Sequence, residues 1–193
     1  MSTFSETMRT LAVQEVVEDR RARSALGVVA FAVATALSAQ VAVWLPWTAV
    51  PVTLQPLFVI LAGALLGPRL GALSMGAYVV VGAMGAPVFA SGGAGLPWLL
   101  GPTGGYLLAA PLAAFVAGAV AGRQGDLRLI VGLVLGVATM YLGGVAQLAA
   151  LTGQGLEAAI AAGVVPFVVG DLTKIGLAFF VVRSARWARS KRS

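Results

Sequence analysis

Apolar residues in this chain come in long runs separated by short polar breaks. The first run, "ALGVVAFAVATALSAQVAVWL", covers about residues 25–45 and stops at Pro46. Others cover about 52–66, 70–85, 105–122, 128–150 and 160–182, with "GPRLG" between the second and third. Runs this apolar predict membrane-spanning helices, because a ~30 Å hydrocarbon core takes about 20 residues of helix. The second and third runs fall short of that length, so they are predicted to tilt, kink or end against buried loops. The expected fold class is an all-α integral membrane protein. It is read as a six-helix transmembrane bundle (25–182) between an N-terminal segment (1–24) and a basic tail (183–193).

The basic residues test the count of six. Arg9, Arg20, Arg21 and Arg23 precede the first run, Arg69 follows the second, and Arg123 and Arg128 separate the fourth from the fifth. Arg183, Arg186, Arg189, Lys191 and Arg192 follow the sixth. With six spans all of these fall on one side, and the opposite loops (46–51, 86–104, 151–159) hold no Lys or Arg. The positive-inside rule then makes both termini cytoplasmic. Fusing the second and third runs would move Arg123 and Arg128 across the membrane, so parity favours six.

Composition agrees. Of 193 residues, 59% are hydrophobic and only 10% charged, against about 25% charged in soluble domains. The net charge of +6 follows from topology and argues against a nucleic-acid partner. The basic tail is suited to anionic lipid headgroups. Residues 1–24 mix Glu6, Glu15, Glu18 and Asp19 with four arginines, which is not the pattern of a signal peptide. The chain has no Cys and no His, which excludes disulfides, Cys nucleophiles and His bases and leaves no ordinary zinc site. No P-loop motif is present, so nucleotide hydrolysis is not expected, and no cofactor is implied.

The outer loops are apolar rather than hydrophilic. "PWTAVPVTLQP" (46–56) and "GAPVFASGGAGLPWLLGPTGGY" (85–106) are rich in Pro and Gly. Such loops are expected to fold back over the bundle as a lid. Trp44, Trp47 and Trp98 lie near this boundary, as interfacial anchors or as pocket walls. The pairs Gly63/Gly67, Gly118/Gly122 and Gly132/Gly136 predict close helix packing. Two small-residue stripes mark the first span, Ala30/Ala34/Ser38 and Ala32/Ala36.

The sixth run contains "VVPFVVGDLTKIGLAFFVV". Counted from Ala161, Asp171 lies about 15 Å deep, near mid-membrane. Lys174, at i+3, projects from the same face. A charge there costs about 2.5–3.5 kcal/mol on insertion scales, so such a pair reads as a functional site facing the bundle interior. Pro166 loosens the turn before it, and Gly170 admits a ligand or helix. One carboxylate acceptor beside one ammonium donor suits a small neutral amide or urea, or a zwitterion. A proton relay would lack a second intramembrane acid. Other polar candidates are Gln40, Thr53, Gln55, Ser74, Ser91, Thr103, Tyr106, Thr139 and Gln147. An enzyme, a structural protein and a proton-coupled carrier remain as alternatives.

Residues 50–122, with "VPVTLQ" (50–55) and "GPTGGY" (101–106), and residues 155–180, with "GDLTK" (170–174), resemble the BioY family. BioY proteins are biotin-specific substrate-binding (S) components of energy-coupling factor (ECF) transporters. The resemblance implies a biotin pocket open to the outside, beneath the first and third loops, in a bacterial cytoplasmic membrane. It places the ureido head of biotin on Asp171 and Lys174, with Thr53, Gln55, Ser91, Gly92 and Tyr106 as further contacts. Pro56 departs from the family pattern and is expected to alter the start of the second span. The resemblance also implies a transmembrane coupling protein and ATPase subunits as partners. Docking would use Ala30 and Ala34 or Ala32 and Ala36. Uptake of another small vitamin, stand-alone ion-coupled biotin transport and homo-oligomer formation remain open at this point.

Overall fold

The computed structural model describes residues 20–122 and 125–191. Residues 1–19, with Arg9 and the four N-terminal acids, and Arg123 and Arg192 lie outside the described residues, as does most of the expected 1–24 segment. Each of the six apolar runs forms helix. They are α1 (Arg20–Gln40), α2 (Gln55–Leu66), α3 (Pro68–Ala83), α5 (Gly104–Ala121), α6 (Asp126–Thr152) and the pair α7 (Gly155–Gly163) and α8 (Val168–Ser190). A one-turn helix, α4 (Gly95–Leu99), lies in the loop after α3. By length and composition α1, α5 and α6 can each cross a membrane, and α7–α8 can do so as one broken span.

The two short runs are separate helices of 12 and 16 residues. At 1.5 Å per residue α2 is only about 18 Å long. A single residue, Gly67, joins it to α3, and its φ of 86° lets the chain reverse at once. The reversal sets Gly71 on Gly63, where a Cβ would lie 2.7 Å from the Gly63 Cα. Gly118 of α5 meets the same place, so three helices cross where none has a side chain. Gly132 and Gly136 serve α6 against α5 in the same way. Gly67 turns the chain and its own Cβ position is open, yet its backbone lies against Gly118 of α5; Gly122, also expected as a packing residue, would with a Cβ touch only its own helix.

The first run departs from expectation at its end. Helix stops at Gln40, and Ala42–Val43 pairs antiparallel with Val52–Thr53. Leu45 and Val50 each precede a proline, which disfavours helix and favours extended backbone. This two-residue ladder tucks the first outer loop against the start of α2. A core of Ile60, Ala117, Leu133, Ala178 and Val182 joins α2, α5, α6 and α8. A second cluster, with Val59, Met75, Ala113 and Met140, joins α3 to α5 and α6. Large apolar side chains elsewhere face outward, such as Leu26, Val33 and Leu37 on α1, as lipid-facing helices require.

The second outer loop folds back on the bundle as expected. Phe89 is fully buried and meets Tyr78 edge-on, with ring centroids 5.6 Å apart. Tyr78 donates to the Val88 carbonyl (3.1 Å) and Gln40 to that of Phe89 (3.3 Å). Gln147 donates to the carbonyls of Leu99 (2.8 Å) and Gly101 (2.6 Å). At the other end α8 runs unbroken through 182 into the basic tail. Arg183 pairs with Asp126 at 3.6 Å, and Arg186 donates to the Ala121 carbonyl at the end of α5.

Candidate functional site

The sixth run is not one continuous helix. α7 and α8 meet at a bend of 53° with Pro166 in the break. Proline has no N–H, so the Ala162 carbonyl, which would have accepted it, is left open. Thr48 of the first outer loop donates its hydroxyl to that carbonyl at 2.8 Å. The next carbonyl, Gly163, also loses its helical partner, because the Phe167 N–H turns to Val164 (2.9 Å). Tyr106 of α5 donates to it instead, at 2.7 Å. Two distant side chains thus close a helix end that could not stay open in lipid.

The break changes where Asp171 sits. It lies in the first turn of α8, where the helix dipole favours an anion, rather than in mid-helix. Asp171 and Lys174 are both buried, 3% and 6% exposed. The Lys174 Nζ donates to Asp171 Oδ1 at 2.7 Å, and the Tyr141 hydroxyl donates to Oδ2 at 2.5 Å. The pair is one structural unit, as the i+3 spacing predicted. Its capacity is not used up. Lys174 has three N–H donors and each carboxylate oxygen has a further lone pair.

The pair faces a cavity whose empty volume, counted to its open mouth, is about 730 Å³. The walls come from every part of the fold. The first outer loop and α2 supply Thr53 and Gln55; α3 supplies Tyr78; the second outer loop supplies Ala90, Trp98 and Thr103. Tyr106 comes from α5, Met140 and Tyr141 from α6, and Phe167 from the helix break. Thr53 donates to Gln55 Oε1 (3.1 Å), Gln55 to the Tyr78 hydroxyl (2.6 Å), and Tyr78 to the lid at Val88. The start of the second span, despite Pro56, is therefore held by side chains that line the cavity.

Five of the seven expected ligand residues meet here: Asp171, Lys174, Thr53, Gln55 and Tyr106. Ser91 and Gly92 do not. They lie exposed on the outer side of the lid, where Ser91 accepts from the Trp44 indole at 3.2 Å. The tryptophans divide likewise, since Trp98 lines the cavity while Trp44 and Trp47 are exposed. Of the remaining polar candidates, Ser74 and Thr139 bond backbone carbonyls within the bundle. Tyr78 and Tyr141 were not expected. All three tyrosines of the chain line this one cavity, a convergence that three aromatics on three separate runs do not reveal. On α1, Ala32, Ala34 and Ala36 are all half-buried and Ala30 is exposed; of these, Ala32 and Ala36 pack against the Phe89 cluster.

Known proteins share this fold. A 2.1 Å crystal structure described as the S-component for biotin from an ECF-type ABC transporter superposes with a TM-score of 0.80 at 24% identity. The match covers 88% of this chain and 93% of that one, and it shows the same all-helical membrane fold. A probable biotin transporter BioY of Pyrococcus horikoshii is 42% identical over 78% of this chain and 88% of its own. The biotin transporter BioY of Thermotoga maritima is 40% identical over 71% and 81%. The BioY family model matches residues 8–191, and this multi-pass membrane chain belongs to the BioY family.

Proposed function

We propose that this protein is the biotin-binding membrane subunit of an uptake system. The observation that carries the reading is the buried Asp171–Lys174 pair at the cavity wall, with unused hydrogen-bonding capacity on both members. The ureido ring of biotin carries N–H donors beside a carbonyl acceptor. Asp171 accepts from the ureido N–H, and Lys174 donates to the ureido oxygen. Burial makes each bond selective, because a ligand lacking either group leaves a buried charge unpaired. Thr53, Gln55 and Tyr106 shape the remaining wall.

The chain binds and releases rather than catalyses, with ATP hydrolysed by separate subunits through a transmembrane coupling protein. The Ala30/Ala34 stripe is the docking surface, since Ala32 and Ala36 are already used inside the bundle. The protein lies in the cytoplasmic membrane with both termini inside, on the arginine asymmetry. Mass spectrometry of ligand co-purified from growing cells tests the reading, together with calorimetry against biotin, thiamine, riboflavin and folate. Biotin alone is expected to bind, and Asp171→Asn and Lys174→Ala are each expected to abolish it. Binding of a different vitamin, or mutants that bind as the wild type does, would overturn the assignment.

A further inference from the structure

One residue of the cavity lining carries a buried donor with no partner at all. The Trp98 ring lines the cavity, and its Nε1 is the buried side-chain polar atom left without a partner among the described residues. A buried indole N–H ordinarily finds an acceptor, and leaving it unmade carries a cost. Four carbonyls of the same loop already accept from side chains elsewhere in the bundle. Leu99 and Gly101 accept from Gln147, Phe89 from Gln40 and Val88 from Tyr78. The ring position is also specified. It sits against Gly93, where a Cβ would come within 2.5 Å of the indole, so any larger residue at 93 would push it away. Trp44, on the first outer loop, does find an acceptor in Ser91 of the second.

We infer that Trp98 Nε1–H is the donor that recognises the side-chain carboxylate of the ligand. This rests on the biotin reading above. With the ureido ring on Asp171 and Lys174, the ligand has two other acceptor groups, a thioether sulfur and a carboxylate. Sulfur is a weak acceptor, and the carboxylate is strong. The outer stretches 46–51 and 86–104 contain no Lys or Arg to receive that charge, and Trp98 belongs to the second of them. A neutral N–H in an apolar wall then makes a charge-assisted bond with little competition from water. Recognition by an acceptor rather than by opposite charge has a further consequence. A ligand whose carboxyl is capped as an amide keeps its carbonyl and remains bound.

Trp98→Phe keeps an aromatic ring and removes the N–H. The full-length variant and the wild type are titrated by calorimetry with biotin and with an analogue whose side chain ends in methyl in place of the carboxyl. The variant is expected to bind biotin about tenfold or more weakly and the methyl analogue as tightly as the wild type does. An equal loss for both compounds would assign Trp98 to packing or to the ring system, and no loss for biotin would leave the N–H without a role. Either result overturns the inference while biotin binding stands. A wild type that binds neither compound overturns the biotin reading, and the role of Trp98 with it.

Discussion

Replacing Lys174 by Met removes the strongest partner of a carboxylate that is 3% exposed. Asp171 then keeps only the Tyr141 hydroxyl, and its second oxygen loses a 2.7 Å bond. Breaking a buried pair from one side costs about 3–5 kcal/mol, because the remaining charge has no compensation. For a chain of this size each kcal/mol lowers Tm by about 2–4 °C, so Lys174→Met is expected to melt roughly 6–20 °C below the wild type. Asp171→Leu, which strands the ammonium, falls in the same range. The double variant removes both charges and should return close to wild-type stability or exceed it. Adding Tyr141→Phe removes the hydroxyl that the double variant leaves unpaired, recovering about 1–3 kcal/mol. Thermal unfolding in one detergent gives the order, and biotin calorimetry on the same samples gives the function. Biotin binding is expected to vanish in both single variants and to stay absent in the stable double and triple variants. A double variant that melts with the wild type and still binds biotin would make the pair an internal staple. Single variants as stable as the wild type would refute the coupling drawn from the geometry.

Two further predictions concern the surroundings of the pair. Thr48→Val removes the donor to the Ala162 carbonyl that Pro166 leaves open. At about 1 kcal/mol for a half-buried bond it is expected to speed biotin release about fivefold; Thr48→Ser, which keeps the hydroxyl, should release at the wild-type rate in a stopped-flow chase. Gly144→Ala would drive a Cβ into the Tyr106 ring, whereas Gly76→Ala meets nothing within 4 Å. The first is expected to lose about 1–3 kcal/mol of stability, together with biotin affinity through displaced Tyr106, and the second neither. Equal behaviour of the two in melting and binding would contradict the packing described.

The pair was legible in the sequence because the arginine asymmetry explains every other basic residue and leaves Lys174 unexplained. The i+3 spacing then places both side chains on one face whether the helix is straight or broken. What surrounds the pair was legible only in part. Pro166 announced a loosened turn, but how far the axis bends depends on who satisfies the freed carbonyls. Those partners, Thr48 and Tyr106, lie 114 and 57 residues away. Helical periodicity carries no information at that range. Tyr141 was hidden for a related reason: an aromatic in an apolar run reads as packing until an acceptor is seen beside it. The lid divides in the same way. Its apolar composition predicts that it folds back, yet the face each residue presents follows from where the backbone reverses. Ser91, at φ 53°, falls outward, and Trp98, seven positions on, lines the cavity. The break at Pro166 therefore does more than bend a helix. It puts a helix N-terminus beneath Asp171, and the Ala162 carbonyl that it frees ties the first outer loop to α7, just ahead of the helix that holds Asp171 and Lys174. The side chains that cap the freed carbonyls and the charges that line the cavity then meet at one helix break. A change that straightens the break would weaken the lid and the pair together.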